Sequence, residues 1–253
     1  MQNLPIAERR NRIAVQVLQE GSTKIRELAV SFGVTTETIR KDLLFLEEKG
    51  LLRRSHGGAL SAGEFFVRPV SMRLEENIDA KNRIAKRALE MIPEEGIVFL
   101  DPGSTVFCLA KLLKLRSGLV VVTNALNVAA LLSDSENTVY LTGGKLIDHS
   151  SSLNGLWTGT CLESIRLDVA FLGTSGVQNH KGPTSEIFED AQNKRTLLNG
   201  CGQSVVLMDA SKRRERATVS YADWRQIDYL ITDESIPHEE QKSMRLRREI
   251  IVV

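Results

Sequence analysis

Thr35-Thr-Glu-Thr-Ile-Arg-Lys-Asp-Leu-Leu-Phe-Leu-Glu-Glu-Lys-Gly50, followed directly by Leu51-Leu-Arg-Arg-Ser-His-Gly-Gly-Ala-Leu60, is the stretch on which the reading of this chain turns. Ile39, Leu43 and Leu46 recur at i, i+4 and i+7, which places them on one buried stripe of a helix. Thr35 stands where an N-cap belongs. Thr36, Glu37, Arg40 and Lys41 then fall on the outer face, with Thr38 in the same first turn. Arg53-Arg54-Ser55-His56-Gly57-Gly58 reads as the turn of a two-stranded wing, because paired glycines permit positive φ. A helix with an Arg-Lys pair near its start and a basic hairpin beside it suits duplex DNA, the helix in a groove and the loop on the backbone. The candidate contacts are Thr35, Thr36, Glu37, Thr38, Arg40 and Lys41 on the helix, and Arg53, Arg54 and His56 on the wing. His56 serves equally as a contact or as a turn stabiliser. A solvated helix face is the plainer account of Arg40 and Lys41, and the neighbouring wing favours DNA over it.

Two shorter helices are expected upstream. The first spans about Glu8 to Gln19, with Ile13, Ala14, Val17 and Leu18 on one face, and ends at Gly21. The second covers about Ile25 to Phe32, with Leu28 and Ala29 inward, and Gly33 supplies the tight turn. Helix, glycine turn, helix and a third packing helix is the helix-turn-helix arrangement. Charge agrees in direction. The whole chain carries only +1, yet residues 1–60 hold ten Lys/Arg against seven Asp/Glu.

At 253 residues and 42% apolar, the chain is long enough for two unequal domains with real cores. It has no run of about 18 apolar residues that would span a membrane. Its first ten residues lack the apolar core of a signal peptide. Three cysteines (Cys108, Cys161, Cys201) stand far apart with no C-x-x-C, and no pair of the four histidines has H-x-x-x-H spacing. That pattern predicts a reducing, cytoplasmic setting, packed rather than nucleophilic cysteines, and neither a disulfide framework nor a metal site. No cofactor is expected.

The expected organisation is a DNA-binding domain over 1–60, a linker over 61–75 containing Pro69, and a larger domain over 76–253. From Glu76 onward, apolar strand-like runs alternate with helical patterns. The runs are Ile97–Leu100, Leu119–Val122, Thr138–Leu141, Val169–Leu172, Ser204–Met208, Tyr229–Ile231 and Ile250–Val253. This is the βα alternation of a mainly parallel sheet. Such sheets bind ligands at the carboxyl ends of their strands. Those ends read Asp101-Pro-Gly103-Ser104-Thr105, Thr123-Asn124, Thr142-Gly143-Gly144-Lys145, Gly173-Thr-Ser175-Gly176 and Asp209-Ala-Ser-Lys212. Glycines let backbone approach an anion, a helix start after Gly103 offers N–H groups, and hydroxyls, Asn and Lys suit a small phosphorylated polyol. Thr142–Lys145 is no P-loop, since Val139 holds the first glycine position and Leu146 replaces the Ser/Thr. No G-x-G-x-x-G follows the first strand. Lys145, His149 and Lys194 read best as surface or helix residues, and Glu186, Glu189 and Asp190 as acids favoured at a helix start.

Thr38-Ile-Arg-Lys-Asp-Leu43 with Leu46-Glu47 and Arg54-Ser-His-Gly-Gly-Ala59 resembles the N-terminal signature of the DeoR family of bacterial transcriptional regulators. The downstream series Asp101-x-Gly-Ser-Thr105, Thr123-Asn124, Gly143-Gly144 and Asp209-x-Ser-Lys212 is similar to that family's effector domain, and the resemblance covers the chain from about residue 6 to its end. It implies a winged helix-turn-helix joined to an α/β domain like those of sugar-phosphate isomerases and coenzyme A transferases. It implies an operator-binding homodimer or larger oligomer, a repressor of carbohydrate use whose grip on double-stranded DNA responds to a sugar phosphate. The implied effector contacts are Asp101, Gly103, Ser104, Thr105 and Lys212, and the strand ends add Thr123, Asn124, Gly143, Gly144, Gly173 and Ser175 as candidates. Arg213-Arg214-Glu215-Arg216 departs from the Phe-Gly that often follows Ser-Lys in the family. Two other readings stay open: a sugar-phosphate isomerase with a fused DNA-binding domain, for which Asp101 or Glu186 is the available base, and a module whose first helices bind protein.

Overall fold

The computed structural model describes residues 5–61, 70–233, 237 and 244–253. They fall into two compact units, numbered 1–68 and 69–253. Of the expected linker, residues 62–69, Pro69 among them, lie outside the described residues.

The first unit contains α1 (Ile6–Glu20), β1 (Ser22–Lys24), α2 (Ile25–Phe32), α3 (Thr36–Glu48), β2 (Leu52–Ser55) and β3 (Gly58–Ser61). The expected stripe is buried: Ile39, Leu43 and Leu46 on α3, with Ile13, Ala14 and Val17 on α1 and Leu28 and Ala29 on α2. The Leu18 side chain lies outside the described part. Thr35 caps α3 by accepting the Thr38 N–H at 3.1 Å. Gly33 closes α2 at φ 62°, a left-handed conformation that glycine adopts without cost.

The wing is a hairpin with a two-residue loop, His56-Gly57, and only Gly57 of the glycine pair has positive φ. Gly58 is required for a different reason. A Cβ there would collide with the Thr23 carbonyl on β1. That strand was not foreseen in the sequence. It pairs antiparallel with β3 and gives a three-stranded sheet in the order β1-β3-β2.

The second unit begins with the short helix α4 (Val70–Arg73) and α5 (Ile78–Leu89). There follow β4 (Gly96–Leu100), α6 (Ser104–Leu113), β5 (Leu119–Thr123), α7 (Leu126–Leu132), β6 (Thr138–Leu141), β7 (Lys145–Ile147), β8 (Ser152–Asn154), α8 (Leu156–Glu163) and β9 (Leu167–Gly173). Then come β10 (Thr184–Ser185), α9 (Phe188–Gly200), β11 (Cys201–Leu207), β12 (Val219–Ser220), β13 (Tyr229–Thr232) and β14 (Glu249–Val252). The central sheet has seven strands, all parallel, in the order β14-β13-β11-β9-β4-β5-β6. All seven expected runs became its strands. The hairpin β7-β8 and the pair β10-β12 had no signal strong enough to read, being two or three residues long.

One apolar layer joins α5, α6 and α7 to one face of the sheet through Ile84, Ala88, Leu109 and Val128. A second joins α8 and α9 to the other face through Leu162, Ala191 and Leu197. The chain reverses direction across the sheet between β4 and β9, so the crevice for a ligand opens at the carboxyl ends of those two strands. Register aligns those ends, with Leu100 beside both Thr123 and Phe171, and Leu207 beside Gly173.

One charge lies on the buried stripe of α3. Asp42 is 2% exposed, and its two oxygens accept from Arg9 Nε and Arg10 Nε, each at 2.7 Å. Asp42→Ala leaves two guanidinium groups of α1 without their shared carboxylate, an expected loss of about 3–5 kcal/mol. Calorimetry checks this: the transition of the first unit should fall sharply while that of the second stays in place.

Candidate nucleic-acid interface and ligand cleft

The outer face of α3 presents Arg40 and Lys41 to solvent. Arg40 keeps a 3.2 Å contact with Glu37, an exposed pair that water and salt weaken readily. Lys41 and Arg53 are exposed and have no side-chain partner among the described residues. Thr35 and Thr38 are joined by their hydroxyls at 2.9 Å, and Thr36 is half-buried beside them. His56 is exposed at the wing tip.

Arg54 occupies a different position from Arg53. Its Nε donates to Glu47 at 2.6 Å and its backbone N–H donates to the same carboxylate at 2.8 Å. First that backbone N–H and then the guanidinium hold the Glu47 carboxyl below its ordinary value. Arg54 thus braces the wing against α3. The wing tip is tied a second time where Ile25 N–H donates to the Gly57 carbonyl at 2.9 Å.

In the second unit, α6 starts at the crevice. Its N-cap is Gly103, which has no side chain to satisfy the first-turn N–H groups. Ser104 and Thr105 are nearly buried, yet their hydroxyls have no partner among the described residues. Gly173 faces Gly103 across the crevice and donates its N–H to Asp101 at 2.7 Å. Asn124 has its amide nitrogen on the Leu153 carbonyl, while its side-chain oxygen is buried with no hydrogen-bond partner. These residues gather oxygens and N–H groups at the carboxyl ends of β4, β5 and β9, a chemistry suited to an anion bearing hydroxyls.

Other candidates shape the strand ends. Thr123 is fully buried, donating to the Leu100 carbonyl at 2.6 Å and accepting the Ala125 N–H at 3.0 Å. Gly143 and Gly144 have positive φ, and a Cβ on Gly144 would strike Thr158 and the Asn154 carbonyl. Ser175 is half-buried and its N–H meets the Thr184 carbonyl. Lys212 sits in a 3-10 turn capped by Asp209 and pairs with Glu215 at 2.6 Å, so the basic run Arg213–Arg216 leaves it beside the strand ends. Lys145 is exposed, as expected. Cys108 is buried in the core, and Cys161 and Cys201 are half-buried.

Lys194 corrects an expectation. It is no surface residue: it is 6% exposed and lies 2.9 Å from Asp101 and 2.8 Å from Asp190. Asp190, expected only to line a helix start, is buried and also accepts from Ser185 at 2.7 Å. The signal was present in the sequence. Asp190, Ala191, Lys194 and Leu197 fall on the inward stripe of α9, just as Lys81, Ile84, Ala85 and Ala88 do on α5. A charge on an apolar stripe announces a buried partner. Lys81, also missed, is 2% exposed.

Burial pushes the Asp101 carboxyl up to about 6, against the pull of Lys194 and with a further push from Asp190. Burial alone would lower Lys194, but the two carboxylates outweigh it and hold the ammonium above its ordinary value.

A family profile described as "DeoR-like helix-turn-helix domain" matches residues 9–64, and one described as "DeoR C terminal sensor domain" matches residues 76–234. The "Glycerol-3-phosphate regulon repressor" of Escherichia coli K12 is 32% identical over 231 residues, covering 91% of this chain and 92% of the relative. The "Lactose phosphotransferase system repressor" of Staphylococcus epidermidis is 31% identical over 240 residues, covering 93% and 95%. The "HTH-type transcriptional regulator GlpR" of the archaeon Haloferax volcanii is 31% identical over 241 residues, covering 94% of each. Among solved structures, ribose 5-phosphate isomerase A of Methanocaldococcus jannaschii matches 56% of each chain at 18% identity and a TM-score of 0.42, too loose a likeness to build on.

Because Asp101 keeps its proton to higher pH in the folded chain than in the unfolded one, its ionisation costs stability as pH rises from 3.8 to about 6. Thermal denaturation across that window should show wild type losing stability relative to Asp101→Asn, with the difference level above it. Parallel profiles would remove Asp101 as the titrating group.

Proposed function

The chain belongs to the DeoR family of transcriptional regulators, and we propose that it is a cytoplasmic repressor of a carbohydrate-utilisation operon controlled by a phosphorylated sugar. It binds operator DNA through α3 and the wing. Arg40 and Lys41 enter the groove with Thr35, Thr36, Glu37 and Thr38 around them. Arg53 and His56 reach the backbone, while Arg54 supports the wing from behind. No helix among the described residues is long and apolar enough to cross a membrane. A helix-turn-helix ordinarily works in pairs on two half-sites, so the chain acts as a homodimer or larger assembly joined mainly through the second unit. The sheet edge β6, with Tyr140 and Leu141 exposed, suits such a joint.

The observation that carries the effector reading is the uncapped start of α6 with the partnerless hydroxyls of Ser104 and Thr105. The phosphate sits there, and Asn124, Ser175, Lys212 and the glycine loops at 143–144 and 173 meet the sugar. Asp101 orders this floor through Gly173 and Lys194 and is not a free base. Glu186, the other carboxylate open to an isomerase reading, accepts from Thr218 at 3.2 Å. The named relatives are regulators, and this chain is a regulator of the same family.

Arg53→Ala should weaken binding to all duplexes and reduce the salt slope of log K by about one unit, as loss of one phosphate contact does. Arg54→Ala should weaken binding with the slope nearly unchanged, since its partner is Glu47. Equal slopes for the two variants would give them the same role. Ser104→Phe should leave operator binding intact and abolish the response to effector. The readouts are a thermal-shift screen against sugar phosphates and operator titration, and a retained response would place the ligand elsewhere.

A further inference from the structure

The second unit opens with a segment, residues 70–77, that follows residues 62–69 in the chain and so leads in from the DNA-binding unit. Three elements of the ligand cleft hold it. Val70 N–H donates to the His149 carbonyl at 2.7 Å, in the β7-β8 turn, and that hairpin is itself fastened to the cleft where Leu153 N–H donates to the Asn124 carbonyl at 2.7 Å. Lys81 Nζ donates to the Arg73 carbonyl and, at 2.6 Å, to the Glu76 carbonyl. Asn77 Nδ2 donates to Asp209 at 3.0 Å, and Asp209 is the residue that caps the turn carrying Lys212. The short helix α4 also packs on α6, whose first turn is the proposed phosphate seat.

A lysine at 2% exposure that spends its protons on two carbonyls of one short segment has a specific consequence. Displacing Lys81 removes one of the segment's ties and leaves the Val70–His149 and Asn77–Asp209 contacts to hold it. Burial lowers the Lys81 ammonium, and Asp209 opposes that shift, so the loop carrying Lys212 and the clasp on 70–77 share one electrostatic balance. Asn77 is held in the left-handed region, at φ 50°, an uncommon conformation for a residue other than glycine. A phosphate brought against Ser104 and Thr105, with its sugar meeting Lys212, changes the charge that Asp209 and Lys81 face. Through them it acts on the backbone of 73–77.

We infer that residues 70–77, clasped by Lys81, Asn77–Asp209 and the His149 carbonyl, form the element that couples ligand binding in the second unit to DNA binding in the first. Asn77 and Lys81 are positioning residues. They hold the coupling segment and need touch neither ligand nor DNA. The inference rests on the effector reading above. A ligand shifts DNA affinity only if some element has different free energy in the two states, and this segment is that element.

The test uses the full chain and an operator duplex selected by wild type from random sequence. Glycerol 3-phosphate, fructose 6-phosphate, galactose 6-phosphate and inorganic phosphate serve as probes. Wild type should show a change in amide exchange at Val70, Leu74 and Lys81 with the probe that raises its melting temperature. That probe should shift operator affinity by about 5-fold or more, the usual span of such coupling. Asn77→Ala should keep its affinity for that probe and for operator alone, while the probe-dependent shift collapses. Lys81→Met should do the same if it folds, and Asn77→Gly serves as the milder second variant, since glycine accepts the left-handed backbone and loses only the Asp209 contact. A wild-type-sized shift in Asn77→Ala overturns the inference and leaves the effector reading standing. So does loss of probe binding in that variant, which would make the segment a wall of the pocket. If no phosphate raises the melting temperature of wild type, the effector reading fails and the clasp falls with it.

Discussion

Each working edge of this molecule is organised around a charge that the fold has taken out of water. Burying an ion is costly unless partners surround it, so every such ion dictates where its partners must stand. Asp42 on α3 fixes Arg9 and Arg10 of α1, 33 and 32 residues away in sequence. Lys194 on α9 fixes Asp101 at the end of β4. Lys81 on α5 fixes the carbonyls that precede it. In all three cases the charge lies on the apolar stripe of a helix and its partners come from outside that helix, so the pairing sets how neighbouring segments stand.

This arrangement serves placement more than net stability. A buried ion pair gains little over a well-packed apolar substitute, because the Coulomb attraction largely offsets desolvation. What it supplies is geometry. With two guanidinium groups on one carboxylate, and Arg10 stacked 3.9 Å over Phe45, α1 and α3 have one favourable register. The face that presents Arg40 and Lys41 is thereby set from behind. The Glu47–Arg54 contact does for the wing what Asp42 does for the helix, though in solvent and so more weakly.

The ligand cleft follows the same reasoning with opposite sign. Two carboxylates, Asp101 and Asp190, share one ammonium, so the floor of the crevice is already crowded with negative charge. On the proposed reading a phosphate avoids that floor and takes the N-terminus of α6, where the dipole and unsatisfied N–H groups favour it. The division between a sealed charged floor and an open polar seat comes from the reversal of chain direction between β4 and β9, which leaves those strand ends uncovered.

Local pattern was enough for most of the fold. The stripe Ile39-Leu43-Leu46, the Thr35 cap, the Gly33 turn and seven apolar runs each answer to forces acting within a few residues, and each took its expected form. The family resemblance, carried by Arg40, Lys41 and the Arg54–Ala59 segment, was legible for the same reason. What tertiary structure alone decided were pairings across long separations. Arg53 and Arg54 look alike as neighbours in sequence, but strand alternation turns one outward and the other onto Glu47. Gly58 looks like a turn glycine and is a point of contact with β1. Lys194 reads as an ordinary helix lysine until β4 places Asp101 beside it. Periodicity tells which face of an element is buried. It cannot tell which distant group will meet a charge there, because that depends on the order in which strands and helices are laid against one another.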